Sequence, residues 1–493
     1  MWYDKLLKCN VGSNFYNIVK DMYKKVSSQV RVRNNFTVPI IPKCGLRQGD
    51  VLSPLLFNLY IHDIVNIFDD SCEPPTLENF VVNCLMYADD MVLLSTTKSG
   101  LQNSIDKFSI YCNKWKLNVN LNKTKIVKFC KRQNSEVAEW HWNGNKIEVT
   151  DSYSYLGTVM SGNTKYQKAR ENIKNKALKA VFSLIKCSQG SDMPVKIGLD
   201  LFDKLVKPVM LYGSEFCILP DNVKILEKKP LKEIYADGSN WQIPSENICT
   251  RFARNILGVH RKSSILCLRG ELGTYPIYID MIVQMVKYWQ RIAMLNSGTL
   301  MEAAYIEQKH MVNKKECWLY GVTKILEQVN LCTYIDQPDF CDPIYIKSKL
   351  RERYQEFWKN KLWNDERKKG GNKLRSYREF KRDIKFEGYL NEIKIFNHRS
   401  DLTKLRCSAH KLNIEKGRYK KPIVPVEERI CTKCNKGEIE DEFHLFVCDF
   451  YKDLREELGI NISDKKEFFQ VMEDCNYNTA VYVNKCFRRR EGV

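Results

Sequence analysis

Residues 80–95 are the part of this sequence that most constrains its fold. Two apolar runs there flank the tetrapeptide Tyr87-Ala88-Asp89-Asp90. Each run is long enough for a buried β-strand and too short for a typical helix, so we predict a β-hairpin. Two carboxylates about 4 Å apart repel by roughly 4 kcal/mol at an effective dielectric constant of about 20. Either a divalent cation removes that repulsion, or Asp89 and Asp90 form a simple polar turn, which aspartate favours through hydrogen bonds to the backbone.

A second polar loop lies upstream, in the sequence GLRQGDVLSPLLFN at residues 45–58. Arg47, Gln48 and two glycines crowd this loop, which suits close approach of the backbone to a ligand. Ser53-Pro54 then predicts the start of an apolar helix, with Ser53 as the N-cap and Pro54 at the first helical position. The sequence thus places a glycine-containing polar loop ahead of the carboxylate hairpin.

Together, LRQGDVLSPLLFN and YADD resemble motifs B and C of a reverse transcriptase palm. Their residues are similar to those of non-LTR (LINE-type) retrotransposons. The resemblance implies an α+β fold with a partial right-hand polymerase palm of antiparallel strands and helices. A helical thumb, a mainly helical linker region and a small C-terminal zinc-binding module would follow. The implied activity is template-directed addition of deoxynucleotides, with Mg²⁺ (or Mn²⁺) bound by Asp89 and Asp90. Contacts to template, primer or incoming nucleotide are implied for Arg47, Gln48, Gly49, Ser53 and Tyr87.

Two further stretches carry the same resemblance. After a predicted helix over 101–117, residues 117–127 alternate apolar and polar side chains, which predicts a strand. That stretch resembles motif D, whose lysine lies near the triphosphate in the family, and Lys123 is the matching position. A solvated lysine at a strand end is the alternative, and Lys116 stands where the family usually has Gly. YSYLG at 153–157 resembles the strand turn that grips the primer end, which implies contacts from Tyr155 and Gly157.

The first 42 residues bear on whether the chain is active. Residues 1–25 have helical periodicity, and residues 29–42 alternate like a hairpin whose Arg31 and Arg33 share one face. By resemblance these lie between motifs A and B, and motif A supplies a further metal-binding Asp. We therefore expect a chain truncated before motif A and polymerase-inactive as written, because Asp4 and Asp21, the carboxylates before Gly45, both fall in the helical segment.

The remainder of the chain is basic and helical. The stretch over 165–201 resembles a thumb, although a solvated face is the simpler explanation for any single cation in it. Residues 337–339 and 370–371 are the best linker candidates, and by resemblance we divide the chain at 1–160 (palm), 161–300 (thumb and following helices), 301–400 (basic connector) and 401–493 (zinc-binding module). The thumb cations are Lys165, Lys168, Arg170, Lys174, Lys176 and Lys179.

Length, charge and cysteine usage narrow the class of protein. At 493 residues the length suggests about three domains, and the net charge of +20 favours a polyanionic partner. No signal peptide and no apolar run of about 18 residues is present, so we expect neither secretion nor a membrane contact. Nineteen cysteines without disulfide-framework spacing predict reduced thiols in the cytoplasm or nucleus.

A Cys/His cluster near the C-terminus has the spacing of a metal site. Cys431, Cys434, His444 and Cys448 give C-x2-C-x9-H-x3-C, which contains the only C-x2-C in the sequence. Four such ligands in two close pairs suit tetrahedral zinc, and a closed shell makes the site structural. Apparent binding energies of such sites are on the order of 10–16 kcal/mol. Buried free thiols are the alternative, and Cys407 with His410 forms a second possible ligand pair.

Three functional hypotheses follow. The first is a reverse transcriptase by descent, with RNA template, DNA primer and deoxynucleoside triphosphates as partners and no obligate protein partner. The second is a non-catalytic remnant whose basic thumb and zinc module still bind RNA or DNA. The third is an unselected open reading frame from a decayed element.

Overall fold

A computed structural model describes residues 2–492 apart from 9–10, 25, 43–44, 131–137, 189–192, 221–222, 232–244, 297, 313–316, 336 and 365–370. It combines many helices with small two-stranded sheets, which confirms a mixed fold of helices and strands. Two compact units are present: unit 1 is Met1–Lys165 with Ser297–Glu307, and unit 2 is Tyr166–Asn296 with Gln308–Val493. The domain divisions expected at 160, 300 and 400 stay predictions.

The described helices are α1 Trp2–Lys8, α2 Ser13–Lys24, α3 Ser53–Ile61, α4 Lys98–Trp115, α5 Gln167–Ser188, α6 Val195–Leu201, α7 Lys207–Leu211, α8 Ser214–Cys217, α9 Ile225–Lys228, α10 Ser245–Leu257, α11 Ile265–Leu272, α12 Ile277–Ala293, α13 Leu300–His310, α14 Trp318–Gln328, α15 Pro343–Trp363, α16 Tyr377–Phe380, α17 Tyr389–Glu392, α18 Phe396–Arg406, α19 Asn413–Lys416, α20 His444–Val447, α21 Lys452–Leu458, α22 Lys465–Asp474 and α23 Tyr477–Glu491. A π-helical stretch, Phe202–Val206, joins α6 to α7. None of these helices is both long and apolar enough to cross a membrane.

All described strands lie in unit 1 and form six two-stranded sheets. Five are antiparallel, and the sheet of β7 with β10 is parallel. The strands are β1 Arg31–Val32, β2 Asn35–Phe36, β3 Thr76–Leu77, β4 Phe80–Val81, β5 Cys84–Tyr87, β6 Asp90–Leu93, β7 Lys125–Val127, β8 His141–Trp142, β9 Asn145–Lys146, β10 Glu148–Thr150, β11 Ser152–Tyr155 and β12 Thr158–Ser161.

Unit 1 is built on two small apolar clusters. One consists of Leu6, Val19 and Leu56, and the loop before α3 contributes Leu46 and Leu52 to it. The other joins α4 to the following strands through buried Ile105, Ile126, Trp140 and Ile147, and Leu93 of β6 packs against it. The polar loop and the carboxylate hairpin therefore rest on different clusters.

A buried charge ties α1 to α4. The Lys5 ammonium pairs with Asp63, lies 3.7 Å from the centroid of the Trp115 ring and is almost fully shielded from solvent. The Tyr111 hydroxyl donates to the same carboxylate at 2.6 Å. Cation–π and ion-pair contacts of this kind compensate the ammonium for lost hydration.

The segment before Gly45 differs in part from expectation. The helix predicted over residues 1–25 is two helices, α1 and α2, and the hairpin predicted over 29–42 is present as β1 and β2 with a bridge from Ser28 to Ile40. The prediction that Arg31 and Arg33 share a face is wrong, since Arg33 occupies the turn with φ +56°. A turn residue no longer follows the alternation of a strand.

Unit 2 is helical and contains most of the buried apolar residues. The long helix α12 is buried along much of its length, including Trp289, and packs against α8 and α15. Near the C-terminus, α18 packs against α23. Of the two predicted linkers, Pro338–Phe340 is one turn of 3-10 helix, and Gly370 lies outside the described residues.

A buried ion cluster joins three elements of unit 2. Glu271 on α11 accepts hydrogen bonds from Arg406 Nε at 2.9 Å and Nη2 at 3.0 Å, and from the Tyr389 hydroxyl at 2.6 Å. Burial alone would raise the pKa of this carboxyl, but the Arg406 guanidinium outweighs it and the pKa lies below its ordinary value. Glu387 completes the cluster by accepting from Arg406 Nη2 at 2.9 Å.

We expect Glu271→Gln to destabilise unit 2 by about 3–5 kcal/mol, because it leaves a buried guanidinium short of one counter-charge. The folded-state pKa is depressed, so the carboxylate stabilises above the unfolded value of about 4.3, and that stability is lost as pH falls through the folded value. In urea titrations between pH 7 and pH 3, the unfolding midpoint of unit 2 should therefore decrease less steeply with falling pH in the variant than in the wild type. The control is Glu352→Gln at an exposed ion pair with Lys349, which should change stability by less than about 1 kcal/mol.

Candidate functional site

The carboxylate hairpin is present as predicted. Tyr87 at the end of β5 pairs with Asp90 at the start of β6, which leaves Ala88 and Asp89 as a two-residue turn. Ala88 has φ +52°, a conformation that favours glycine at this turn position. The tight turn brings Asp89 to the tip of the hairpin and Asp90 to the first position of β6.

The prediction that these strands are buried is wrong. Leu85 and Met86 are each 37% exposed and Tyr87 is 67% exposed. No other described strand pairs with this sheet, and the apolar cluster beneath it contacts β6 and leaves β5 uncovered. Asp89 and Asp90 are exposed as well. In water, two charges about 4 Å apart repel by only about 1 kcal/mol, so this exposure weakens the repulsion and a simple polar turn is stable without a cation.

Tyr155 lies within electrostatic reach of the hairpin. It ends β11 and pairs with Thr158 of β12 across a turn in which Leu156 and Gly157 have φ of +46° and +80°. Burial, and then the Asp90 carboxylate, raise the pKa of Tyr155. The structure thus brings together two residues, Asp90 and Tyr155, that the sequence placed in one site.

The polar loop before α3 is held by its own side chains. Gly49 has φ +86°, and the Ser53 hydroxyl donates to the Arg47 carbonyl at 2.5 Å. The prediction that Ser53 is the N-cap is wrong, since Leu52 takes that place in helical conformation and its N–H donates to Asp50 Oδ1 at 3.1 Å. Because Asp50 organises the preceding turn, the Ser53 hydroxyl is used to close the loop.

Arg47 and Gln48 both have solvent-exposed side chains on this loop. The Arg47 guanidinium lies 5.5 Å from the centroid of the Tyr23 ring and donates to the Met22 carbonyl, so α2 fixes its direction. Gln48 makes no hydrogen bond with the part of the chain that the structure describes. Its amide is therefore available to a ligand.

Lys123 lies in a turn and not in a strand. Its N–H donates to the Asn120 carbonyl at 3.1 Å, its side chain is exposed, and the strand predicted over 117–127 is confined to β7, Lys125–Val127. Asn118, Asn120 and Asn122 favour turns through side-chain to backbone hydrogen bonds, which explains the shorter strand.

The predicted thumb stretch is helical over α5 and α6. Its half-buried Lys174 pairs with Glu171 at 2.9 Å. Arg170 differs from the solvated face expected, because it is buried and donates to the carbonyls of Cys217 at 3.4 Å and Leu219 at 3.1 Å. It therefore anchors α5 to the segment after α8.

The C-terminal Cys/His cluster forms as predicted. The ligand atoms of Cys431, Cys434, His444 and Cys448 all lie within 4.8 Å of one another, and among the described residues this is the one group of three or more His, Cys, Asp or Glu that could hold a metal ion. Burial is the main cause that raises the pKa of the Cys448 thiol, to about 12. Asp89 and Asp90 consequently have no third metal-ligating side chain beside them within the described ranges.

Neighbouring acidic residues orient the Cys/His cluster. The sequence motif did not predict this role for them. The Glu438 carboxylate lies 2.9 Å from His444 Nδ1, which leaves Nε2 facing Cys434 Sγ at 3.5 Å. The His444 N–H donates to Asp441 Oδ1 at 2.8 Å, and the Cys431 N–H donates to the Glu438 carbonyl at 2.8 Å. A carboxylate on the second imidazole nitrogen is typical of metal-ligating histidine.

The prediction that Cys407 and His410 form an alternative pair of metal ligands is wrong. Cys407 is fully buried, and burial with neighbouring Cys267 raises the pKa of its thiol well above the usual range. His410 Nε2 lies 2.9 Å from Glu442 Oε1, and its Nδ1 accepts from the Leu412 N–H at 3.3 Å. With both imidazole nitrogens engaged, His410 is a packing residue.

Comparison with known proteins supplies an independent line of evidence. Residues 3–160 match the family described as "Reverse transcriptase (RNA-dependent DNA polymerase)". The chain is 23% identical over 298 residues, 55% of its length, to the "Probable RNA-directed DNA polymerase from transposon BS" of Drosophila melanogaster, and covers 32% of that protein. It is 24% identical over 249 residues, 47% of its length, to the "RNA-directed DNA polymerase from mobile element jockey" of the same organism, and covers 26% of it.

A third relative is the "Retrovirus-related Pol polyprotein from type-2 retrotransposable element R2DM" of Drosophila melanogaster. The chain is 28% identical to it over 163 residues, which is 31% of this chain and 15% of that protein. The chain therefore spans a third or less of the length of each of these relatives.

Lys116 ends α4 in a left-handed conformation, with φ +56° and its N–H bonded to the Cys112 carbonyl. A non-glycine residue in the left-handed conformation costs about 1–2 kcal/mol, and Lys116→Gly removes that strain. Glycine also increases the conformational entropy of the unfolded chain, which offsets part of the gain, so the helix end should be stabilised by about 1 kcal/mol. Amide hydrogen exchange in the last turn of α4 should slow by roughly fivefold. The control Lys114→Gly, within the helix, should instead speed exchange, since glycine there costs about 1 kcal/mol. Faster exchange in both variants would contradict the assignment.

Proposed function

We propose that residues 3–160 act in template-directed DNA synthesis on RNA, because they match the reverse transcriptase family and the chain is similar to RNA-directed DNA polymerases of transposons, as the sequence motifs predicted. The observation that carries the proposal is the hairpin that presents Asp89 and Asp90 at an exposed turn, with Tyr155 in electrostatic reach of Asp90. RNA template, DNA primer and deoxynucleoside triphosphates are the proposed partners.

Asp89 and Asp90 supply the hard oxygen ligands that Mg²⁺ and Mn²⁺ prefer. When bound, such cations activate the primer 3′ hydroxyl and stabilise the leaving pyrophosphate. We assign Asp89 as the main ligand and Asp90 as its assistant. The exposed turn leaves both carboxylates open to a cation and its water ligands.

The remaining palm residues have positioning roles in this proposal. The loop with Arg47, Gln48 and Gly49 lies against template or incoming nucleotide, and the Ser53 hydroxyl keeps that loop closed. Tyr87, Tyr155 and Gly157 border the primer end. Lys123, with its exposed ammonium, neutralises charge on the triphosphate.

A cation site made of Asp89 and Asp90 alone is incomplete. The described residues place no third carboxylate beside the pair, and Mg²⁺ bound by few protein ligands depends on additional carboxylates or phosphates. We propose that a further carboxylate completes the site and that this chain by itself polymerises poorly. The chain would then need polypeptide carrying that carboxylate in order to act.

Primer extension with Mg²⁺ tests this. We expect this chain alone to extend an RNA-templated primer at least 100-fold more slowly than the same chain fused to a reverse transcriptase palm segment that carries the further carboxylate. In the fused protein, Asp89→Asn should abolish extension, whereas Asp106→Asn on the exposed face of α4 is the matched control and should not. Robust extension by this chain alone that Asp89→Asn abolishes would refute the incompleteness.

Nucleic-acid binding without catalysis is the second candidate. The net charge of +20 favours it, and so does the absence, among the described residues, of a third carboxylate beside Asp89 and Asp90. Binding should weaken as salt rises, because counterions are released at each phosphate contact. If a mobility-shift titration shows no binding at low salt, or an affinity that does not change with salt concentration, nucleic-acid binding by this chain is excluded.

We propose that Cys431, Cys434, His444 and Cys448 bind a structural zinc ion. Three cysteines and one histidine form a closed tetrahedral shell, and Glu438 on His444 Nδ1 supplies the outer contact that such a ligand uses. The seventeen described cysteines are all free, which suits a reducing compartment such as the cytoplasm or nucleus.

The purified chain should contain one equivalent of zinc by elemental analysis. Cys434→Ser should lose it and make the C-terminal residues sensitive to protease, because the metal contributes much of the local folding energy. Cys130→Ser, at an exposed cysteine far from the cluster in sequence, should keep both zinc and protease resistance. Equal zinc content in the two variants would show that the cluster is not the metal site.

A further inference from the structure

Unit 2 contains a cleft of about 780 Å³ that no step of the proposed polymerase chemistry uses. Its walls are the loop over 258–263 after α10, the segment over 401–420 and the C-terminal end of α23. The zinc-ligand positions and the palm motifs do not line it. The cleft therefore needs an explanation of its own.

The charges that line the cleft do not balance. Its carboxylates are already paired: Asp401 with Lys404 at 2.8 Å, Glu491 with Lys411 at 2.6 Å, and Glu415 with Arg418 at 3.1 Å. Five lining cations have no carboxylate partner within the described part of the chain. These are Lys262, Lys373, Lys416, Lys420 and Arg488.

Of the five cations, Lys373 gives the strongest evidence that the cleft binds an anion. It is only 4% exposed, and its ammonium donates to the Lys262 carbonyl at 2.9 Å and the Tyr419 hydroxyl at 3.1 Å. These neutral acceptors satisfy hydrogen bonds but do not neutralise a buried charge, which is costly without a counter-ion. An anion in the cleft would supply one.

Lys416 lies among further cations of the cleft. Burial is the main cause that lowers the pKa of this ammonium, and the Arg490 guanidinium and the Lys411 ammonium add to the effect while Glu440 and Glu491 oppose it. Cations gathered in one cleft attract a polyanion.

An aromatic ring stands among these cations. Tyr419 is 45% exposed, and the Lys262 ammonium lies 4.1 Å from its ring centroid. A basic groove combined with exposed aromatic side chains is the arrangement that binds single-stranded nucleic acid, because cations follow the backbone while bases stack on the rings. Cations drawn from four separate segments suit a strand better than a single phosphate.

We propose that this cleft binds the phosphodiester backbone of a single-stranded nucleic acid, with a base stacked on Tyr419. It is a second nucleic-acid site, separate from the proposed polymerase residues. Lys262, Lys416, Lys420 and Arg488 contact phosphates, and Lys373 holds Tyr419 in place while adding its own charge.

Fluorescence anisotropy with a labelled twelve-nucleotide oligo(dT), on the full chain in the Asp89→Asn background and without Mg²⁺, tests the proposal. The triple variant Lys262→Ala, Lys416→Ala and Lys420→Ala should bind at least tenfold more weakly, and its salt slope should fall by about 2, since single strands release about 0.7 counterion per contact. The matched control removes three exposed lysines of unit 2 outside the cleft that have no ion-pair partner among the described residues, Lys287, Lys359 and Lys466. It should lose less than threefold. Tyr419→Ala should weaken binding at least fivefold, while Tyr419→Phe should keep most of it.

Photocrosslinking with 4-thiothymidine in the same oligonucleotide locates the strand, and it should label peptides containing Tyr419 or Phe487. Equal losses in the two triple variants, or crosslinks confined to residues 1–201, would overturn the proposal. Displacement of the strand by tripolyphosphate at equal phosphate concentration would also overturn it, because the cleft would then bind small polyphosphates. Melting curves confirm that each variant is folded. Failure of primer extension leaves this result untouched, since neither catalysis nor Mg²⁺ enters the assay.

Discussion

Unit 2 depends on carboxylates buried against arginines. Glu246 pairs with Arg269, Glu271 with Arg406, Glu440 with Arg490 and Glu442 with Arg375, and all four carboxylates are 2% exposed or less. A buried ion pair gains little over an apolar contact, but loss of either partner is severe because it strands a charge. These pairs therefore enforce one arrangement of the helices.

Two of these pairs support the C-terminal Cys/His cluster. Glu442 accepts from Arg375 at 2.7 Å, from the Ser408 hydroxyl at 2.9 Å and lies 2.9 Å from His410 Nε2, so it joins three stretches of chain. Glu440 bonds Arg490 at 2.7 Å and the Asn413 N–H at 2.7 Å. The acidic turn before His444 is thus a packing junction on which the geometry of the four ligands depends.

The sequence predicted features that depend on local chemistry. Two short apolar runs around a polar tetrapeptide predicted the carboxylate hairpin, the ligand spacing predicted the Cys/His cluster, and the motif order predicted the family that residues 3–160 match. Features that depend on distant partners were missed. Nothing local in Arg170 indicates that it will meet carbonyls beyond α8, and nothing in Ser53 indicates that Asp50 will already have organised the turn. The burial of β5 also depended on neighbours that a short window of sequence does not contain.

The two-stranded sheet of β5 and β6 has a consequence for how this chain behaves in solution. Neither strand pairs with a further strand in the described residues, so backbone N–H and C=O groups stand unpaired along both edges beside half-exposed apolar side chains. Such edges are templates for β-augmentation, and a hydrophobic edge of this kind is a site of aggregation. Open edges of this kind favour self-association of the chain through the hairpin. A strand that docks there would supply solubility together with any chemistry it brings.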